Sequence, residues 1–181
     1  MATTNGNDHE ALARRVADRV ENYYGAHRLC CSEAMLLVFN RTFGGGLSDE
    51  EAVRMSAGFC GGMGDGEGVC GALAGAVAAL GLLLGRGKTM RAMAARLRAE
   101  FQASEGSTLC RDLTRPLRDN RLGKRAHCGR LTGRAAELAA RLLLGARPDL
   151  AAAANRDFLE QRDTRAGVLA KKLARVLRPD R

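Results

Sequence analysis

Aromatic residues and proline are scarce in this 181-residue chain. It contains no tryptophan, two tyrosines, five phenylalanines and three prolines. So few aromatic side chains leave little on which nucleic acid bases could stack, and no nucleic-acid-binding motif accompanies the charged residues. Alanine, leucine, arginine and glycine dominate instead. The length and composition predict an all-α fold, a single-domain helical bundle in which small residues allow close packing.

The chain also lacks the apolar segment that marks a secretory leader. Its first residues, MATTNGNDHEALARR, are polar, so we expect a cytoplasmic protein, in which thiols stay reduced. One uncharged run, residues 69–85, is close to the shortest stretch that can span a membrane, about 17 residues. It is rich in glycine and alanine and has no aromatic or basic anchor before it. We therefore expect a helix buried in a soluble bundle and no membrane span.

The six cysteines include no CxxC pair and no CxxCH sequence. The first absence removes the local signature of a zinc ribbon, and the second argues against a covalently attached c-type haem. In a chain expected in the cytoplasm, the cysteines indicate metal binding, redox chemistry or packing rather than a disulfide framework. Any site that they share must be assembled from distant segments.

The chain is organised around residues 58–85, GFCGGMGDGEGVCGALAGAVAALGLLLG. The first half is a glycine-rich loop, in which Asp65 and Glu67 could bind a cation or simply be solvated. Glycine tolerates positive φ and lets the backbone lie close to a ligand or another segment. Cys70 precedes the second half, the predicted buried helix. Because free N–H groups and the helix dipole favour negative charge there, we expect Cys70 to ionise readily.

Three other cysteines are predicted at or near helix starts. Cys31 lies near the beginning of one helix, Ser107 is a plausible cap that places Cys110 in a first turn, and Cys128 is predicted to open a third helix. His127 could be a further donor or a surface residue beside Cys128. A buried free cysteine can also act as a small hydrophobe, so these positions leave metal ligation, thiol chemistry and packing open.

Three segments are predicted along the chain. Residues 1–8 are expected to be a disordered tail, residues 9–147 a cysteine-containing helical domain, and residues 148–181 a C-terminal basic helix packed on that domain or extending from it. Within the domain, residues 118–125 are predicted to be a basic loop. A last helix is predicted at about 149–177.

The spacing of Leu12, Val16 and Val20 predicts that they share one face of the first helix. Ser48 with Glu51 has the pattern of a capping box at a helix start.

Positive charge is concentrated in the second half of the chain. Residues 1–85 hold six basic and ten acidic residues, whereas residues 86–181 hold 23 basic and ten acidic ones. A basic surface can attract nucleic acid, an anionic membrane or an acidic protein, or it can consist of solvated helix faces. No feature of the sequence indicates an oligomeric state.

Taken together, these motifs resemble the C-GCAxxG-C-C family of bacterial and archaeal proteins, which are described as redox-active. The resemblance covers roughly residues 20–145. It rests on an early cysteine, a glycine loop leading to a central cysteine, and two later cysteines: Cys31, Gly61-Gly62-Met63 through Gly68, Cys70-Gly71-Ala72-Leu73-Ala74-Gly75, Cys110 and Cys128. The centre departs from the pattern, since Val69-Cys70-Gly71-Ala72 stands where the family name has Gly-Cys-Ala.

The resemblance implies an all-helical domain in which four cysteines converge as cofactor-binding and metal-binding residues: Cys31, Cys70, Cys110 and Cys128. A similar domain in split-Soret cytochromes c is associated with an iron–sulfur centre. Four thiolates suit an iron–sulfur cluster of two or four irons, and zinc is the alternative. Arg111 and Arg130, helix N-termini and loop N–H groups could offset the thiolate charge.

Cys30 and Cys60 lie outside the family pattern. They could be spare ligands, a resolving thiol pair, or neither.

The sequence therefore predicts a redox-active protein that transfers electrons from an iron–sulfur centre to a partner, with an acidic redox protein as a possible partner. One alternative is a thiol–disulfide or sulfur-transfer enzyme with Cys70 as nucleophile, whose pKa would then lie well below the usual value of about 8.5. Another is a zinc-stabilised domain that binds proteins.

Overall fold

The computed structural model describes residues 3–176, and within them it contains helices and no β-strand. The helices are α1 (Thr3–Ala26), α2 (Cys31–Phe43), α3 (Asp49–Ser56), α4 (Cys60–Met63), α5 (Gly71–Leu84), α6 (Lys88–Glu105), α7 (Cys110–Thr114), α8 (Arg121–Ala146), α9 (Asp149–Ala153), α10 (Arg156–Glu160) and α11 (Arg165–Val176). Short 3-10 turns follow α3 and α7. The predicted all-α, single-domain fold is confirmed.

Four helices, α1, α2, α5 and α8, build the core. The two longest, α1 and α8, pack against each other, α2 packs on α5, and α5 also packs on α8. Leu12, Val16 and Val20, predicted to share one face of α1, are fully buried. Small residues bring the helices close: a Cβ added at Gly75 of α5 would lie 2.7 Å from the Cα of Ser32 in α2. Any side chain at position 75 would therefore force α2 and α5 apart.

Helix α5 is the buried apolar helix that the sequence predicted. Residues on its inner side, including Ala72, Ala76 and Leu80, are at most 1% exposed. Helix α6 covers part of its other side. In the part of the chain that the structure describes, no helix combines the length and the apolarity needed to cross a membrane.

The start of α8 differs from the prediction. The helix begins at Arg121, because the side chain of Asn120 caps it by accepting a hydrogen bond of 2.8 Å from the backbone N–H of Gly123. Most of the predicted basic loop at 118–125 is therefore the first turn of a helix. Cys128 consequently lies about two turns inside α8, so the prediction that it opens a helix is wrong.

Both ends of the chain also differ from the sequence expectations. Residues 3–8, which we expected in a disordered tail, belong to α1; residues 1–2 and 177–181 of the predicted terminal segments lie outside the described residues. The helix predicted at 149–177 is interrupted at Ala154 and Gln161, whose backbones are extended. The backbone N–H of Asn155 donates to the Thr42 carbonyl at 2.9 Å, which fixes the first break against α2.

A buried arginine holds the C-terminal segment on α1. Arg19 is completely buried between the rings of Tyr23 and Phe158, with its guanidinium carbon 4.5 and 4.6 Å from their centroids. It forms an ion pair of 3.1 Å with Asp163, and His27 lies 3.0 Å from the same carboxylate oxygen. Because a buried charge needs a partner, this contact ties the segment after α10 to the bundle.

Candidate functional site

Four free cysteines from four helices line a single cavity of about 550 Å³. They are Cys31, the first residue of α2; Cys70, which immediately precedes α5; Cys110, the first residue of α7; and Cys128, within α8. Cys70 and Cys110 are buried, while Cys31 and Cys128 are partly exposed. The fold thus brings the four sequence-predicted site residues to one place from positions far apart in the chain. We call this space the cysteine cavity.

Backbone hydrogen bonds position two of these cysteines. The N–H of Cys70 donates to the carbonyl of Thr108 at 2.8 Å, and the N–H of Cys110 donates to the carbonyl of Gly68 at 2.9 Å. An isolated bridge between Val69 and Leu109 lies between these two bonds. The glycine loop and the segment before α7 are therefore paired as a short antiparallel bridge. This pairing fixes the backbone positions of Cys70 and Cys110 relative to each other.

Two glycines are required by close approach to the cysteines. Gly62 has φ of 69°, and a Cβ built on it would lie 2.5 Å from the Cβ of Cys110. Gly71 would place a Cβ 2.6 Å from the Sγ of Cys31 and from the carbonyl oxygen of Phe59. The departure from the family pattern at Gly71 thus has a physical reason, since the sulfur of Cys31 occupies the space of an alanine methyl group.

The thiols of the cavity are stabilised in their neutral form. Burial raises the pKa of Cys31 to about 12, with further contributions from the charges of Cys70 and Cys128. Burial likewise raises the pKa of Cys70 to about 11, although the backbone N–H groups of Ala72 and Leu73 act in the opposite direction. The prediction that Cys70 ionises readily is therefore wrong for the cavity without a bound cation, because desolvation outweighs the helix start.

The other two thiols follow the same rule. Burial raises the pKa of Cys110 and of Cys128, and the charge of Lys124 partly offsets this in both. The sulfurs also influence one another, because the charge of Cys110 contributes to the raised pKa values of Cys70 and Cys128. The four thiols therefore behave as one electrostatic group.

The sulfur atoms are too widely spaced for one tetrahedral ion. At a zinc–sulfur distance near 2.3 Å, tetrahedral ligands lie about 3.8 Å apart. In the described residues, the one trio of cysteine, histidine or carboxylate ligand atoms within 4.8 Å of one another is Cys30, Glu33 and Cys60. No three of the cavity cysteines meet that limit. Their arrangement leaves room for a group larger than a single ion.

Basic side chains surround the cysteine cavity, and no acidic residue between positions 3 and 176 lines it. The basic lining residues are Arg28, Arg118, Arg121, Lys124 and Arg125. Sequence reasoning missed the set because four of the five belong to residues 118–125, which were expected to be a loop, and Arg28 lies far from them in the chain. The signal was nevertheless present: Arg121, Lys124 or Arg125, and Cys128 are three or four residues apart, so that in a helix they share a face.

The basic residues that the sequence did suggest lie elsewhere. Arg111 is exposed and forms an ion pair of 2.9 Å with Glu67. Neither Arg111 nor Arg130 lines the cavity. Asp65 accepts a hydrogen bond of 2.9 Å from the backbone N–H of Glu67, so the two loop acids organise the loop surface and do not face the cysteines.

Tyr24 is a cavity residue that the sequence did not indicate. It comes from the end of α1, and its hydroxyl interacts with the thiol of Cys128; burial raises the pKa of Tyr24 to about 12, and the charge of Cys128 adds to this. Arg125 lies over the tyrosine ring, 4.8 Å from its centroid, and donates to the Tyr24 carbonyl at 2.7 Å. His127, by contrast, contacts the carbonyl of Leu113 at 3.0 Å and does not line the cavity.

The remaining two cysteines pair with each other. Cys30 and Cys60 form a disulfide, with their Cα atoms 5.7 Å apart. The expectation that thiols in this chain are reduced does not hold for this pair. The interpretation of Cys30 and Cys60 as spare ligands for the four-cysteine site also fails in this state, because both sulfurs are engaged.

Of the comparisons with known proteins, one identifies a family and two find no match. No curated protein and no solved structure matches the chain. A family model described as "Putative redox-active protein (C_GCAxxG_C_C)" matches residues 29–142, more than half of the chain, and this region includes all four cavity cysteines. The chain therefore belongs to the C-GCAxxG-C-C family of redox-active proteins.

Proposed function

We propose that this protein holds an iron–sulfur cluster in the cysteine cavity and transfers electrons to a partner protein. The observation that carries the proposal is the convergence of four free cysteines from four helices on one cavity. Membership of a family described as redox-active supports the same chemistry. The ligands would be Cys31, Cys70, Cys110 and Cys128, and the bound cluster would supply one-electron redox chemistry.

The spacing of the sulfur atoms favours a cluster over a single zinc ion. All four donors are thiols, which iron–sulfur clusters and structural zinc sites both accept. However, no three of their sulfur atoms lie within 4.8 Å of one another, whereas ligands of one tetrahedral ion would be about 3.8 Å apart. A cluster of several metal atoms holds its ligand sulfurs farther apart than a single ion does, and this is our reason for preferring it.

The surroundings can compensate the charge of four thiolates. Among the described residues, five cationic side chains and no acidic one line the cavity. The backbone N–H groups of Ser32 and Gly61 favour the thiolate of Cys31 and so lower its pKa, and those of Ala72 and Leu73 do the same for Cys70. Hydrogen bonds to ligand sulfurs stabilise the more negative, reduced state of a metal centre and so raise its potential.

The raised thiol pKa values support metal binding more than nucleophilic catalysis. A nucleophilic Cys70 would need a lowered pKa, whereas burial raises it to about 11. A metal cation overcomes this by replacing the thiol proton. The exposed basic side chains at the cavity, Arg28, Arg118, Arg121 and Lys124, would then face an acidic redox partner and attract it electrostatically.

The test is the composition of protein purified without oxygen. Iron, acid-labile sulfide and the visible spectrum are measured for the wild type and for serine variants of each cavity cysteine. We expect iron and sulfide in similar amounts, with charge-transfer absorption that each variant weakens or abolishes. The double variant Cys30→Ser/Cys60→Ser is the matched control and should keep the absorption. Zinc without sulfide, or colourless metal-free protein that cannot be reconstituted with iron and sulfide, would overturn the proposal.

A further inference from the structure

The Cys30–Cys60 disulfide lies at the edge of the cysteine cavity. Cys30 caps the N-terminus of α2 and lines the cavity beside Cys31. Cys60 is the first residue of α4 and directly precedes Gly61, which also lines the cavity. The disulfide therefore joins two walls of the cavity, the start of α2 and the glycine loop.

Both residues of the pair are partly exposed to solvent. Cys30 and Cys60 are each partly exposed, in contrast to Cys70 and Cys110, which are buried. Thiol–disulfide exchange needs such access, because an attacking sulfur must approach one sulfur of the pair. A disulfide that only cross-linked the fold would not need to be exposed to solvent.

Near the pair lie groups that can accept hydrogen bonds from the two S–H groups of the reduced state. The hydroxyl oxygen of Ser32 lies 3.2 Å from the Sγ of Cys30 and 3.6 Å from the Sγ of Cys60. Its single proton is donated to the carbonyl of Ser56 at 2.9 Å, so towards the sulfurs the hydroxyl offers lone pairs. A carboxylate oxygen of Glu33 lies within 4.8 Å of both sulfurs.

While the disulfide is intact, neither sulfur carries a hydrogen, and within the described residues the Glu33 carboxylate accepts only the backbone N–H of Cys30, at 2.8 Å. After reduction, two S–H groups would form in a partly buried place and would find hydrogen-bond acceptors already in position. The same acceptors lower the free energy of the reduced state relative to a pair in an apolar setting. The site is thus built for both redox states.

We propose that Cys30 and Cys60 form a redox-active disulfide, separate from the four cavity cysteines, that exchanges two electrons with an external dithiol. In the first step a thiol of the dithiol attacks one sulfur of the pair; the S–S bond breaks, a mixed disulfide forms, and the displaced cysteine takes up the proton. The second thiol of the dithiol then attacks the mixed disulfide and releases the other cysteine as a thiol. The dithiol ends as a disulfide, having lost two electrons and two protons, and Cys30 and Cys60 have gained them.

The exchange has a structural consequence for the cavity. Cys60 is the neighbour of Gly61, and Cys30 is the neighbour of Cys31; both Gly61 and Cys31 line the cavity. Opening the disulfide removes the covalent link between the glycine loop and α2 beside these two residues.

The experiment uses the intact protein as purified, equilibrated without oxygen in mixtures of reduced and oxidised dithiothreitol. Samples are quenched with acid, free thiols are alkylated, and the modification of each cysteine is measured by mass spectrometry. Circular dichroism of parallel samples monitors folding. We expect Cys30 and Cys60 to become labelled together and reversibly, with a labelled fraction that depends only on the ratio of reduced to oxidised dithiothreitol. This is the behaviour of a one-to-one exchange between the dithiol and the disulfide. The helical signal should be retained throughout.

Two results would overturn the proposal. If the pair stays oxidised at every mixture until denaturant is added, the disulfide is structural only. If Cys30 and Cys60 are already labelled in fully oxidised dithiothreitol, the pair does not form a disulfide. Because the readout resolves individual cysteines, neither result depends on whether the cavity cysteines hold iron. In the double variant Cys30→Ser/Cys60→Ser, no two cysteines should become labelled together as the ratio of reduced to oxidised dithiothreitol changes.

Discussion

Cys70 and Cys110 are held in register by two backbone hydrogen bonds, one on each side of the contact between Val69 and Leu109. The N–H of each cysteine donates to a carbonyl on the opposite segment, at 2.8 Å for Cys70 and 2.9 Å for Cys110. Both cysteines also stand at the start of a helix, so their backbones are fixed on both sides. Two of the proposed ligands are thus positioned before any cofactor binds, which reduces the ordering that binding requires.

The first prediction concerns the glycine that allows this contact. Gly62→Ala should reduce iron content and destabilise the fold, because its Cβ would lie 2.5 Å from the Cβ of Cys110. Gly61→Ala is a matched control: it has a similar positive φ of 61° but no atom within 4 Å of the added Cβ. Both variants should lose about 1 kcal/mol from left-handed strain, and Gly62→Ala should lose more. Urea unfolding and iron per chain measure this, and equal losses in the two variants would contradict it.

The second prediction concerns the departure from the family pattern. Gly71→Ala should displace the thiol of Cys31 and lower iron content, since the new Cβ would lie 2.6 Å from that sulfur and from a backbone oxygen of Phe59. Gly81→Ala in the same helix is the control, because its nearest neighbour would be 3.9 Å away. That control should stabilise the helix by up to about 1 kcal/mol. If Gly71→Ala keeps full iron content and stability, the close contact does not govern the site.

The third prediction concerns the potential of the proposed centre. Lys124→Gln should make the reduction potential more negative, because Lys124 lines the cavity and its charge favours the ionised forms of Cys110 and Cys128. A reduced centre carries more negative charge, so removing a nearby cation destabilises it most. Arg130→Gln removes an exposed charge that does not line the cavity and should leave the potential nearly unchanged. An optical redox titration measures the reduction potential of both variants. Equal shifts of the potential in the two variants would refute a local effect of Lys124.

The fourth prediction concerns the ion pair that holds the C-terminal segment. Asp163→Asn should cost about 3 kcal/mol of unfolding free energy, because it leaves the fully buried Arg19 without its counter-charge. Asp157→Asn, an exposed change on α10, should cost well under 1 kcal/mol. Urea denaturation at neutral pH gives both values. A loss at Asp163 no larger than at Asp157 would show that the pair contributes little.

The same carboxylate should make stability depend on pH. Burial alone would raise the pKa of Asp163, but the hydrogen bond with His27 and the charges of Arg19, His27 and Lys171 together lower it. The group therefore contributes stability above the unfolded pKa of about 4, and that contribution is lost as the pH falls through the lower folded value. The acid loss of stability should be smaller in Asp163→Asn than in the wild type, which unfolding at pH 7 and pH 3 can compare.

Local sequence patterns were sufficient for several of the helices and for the order of the site cysteines. The apolar run after Cys70 forms α5 because its residues have few alternatives to burial, and Ser48 with Glu51 forms the predicted capping box of α3. Leu12, Val16 and Val20 are buried as their spacing predicted. Each of these features depends on residues within a few positions of one another, which is what a sequence displays directly.

Other features were decided by contacts between distant segments. The charged residues before Cys128 resemble a loop in sequence, yet they start α8 and face the cavity. Arg19 and Asp163 form their ion pair across the fold, and the disulfide of Cys30 and Cys60 joins segments that local patterns do not relate.

The ionisation of Cys70 is the clearest example of this division. The sequence by itself determined that Cys70 stands at a helix start, where the dipole favours a thiolate. The tertiary structure decided that burial outweighs that effect, with a pKa raised to about 11. The reason is physical: a dipole is set by the helix that carries it, whereas desolvation depends on every segment that packs around the sulfur.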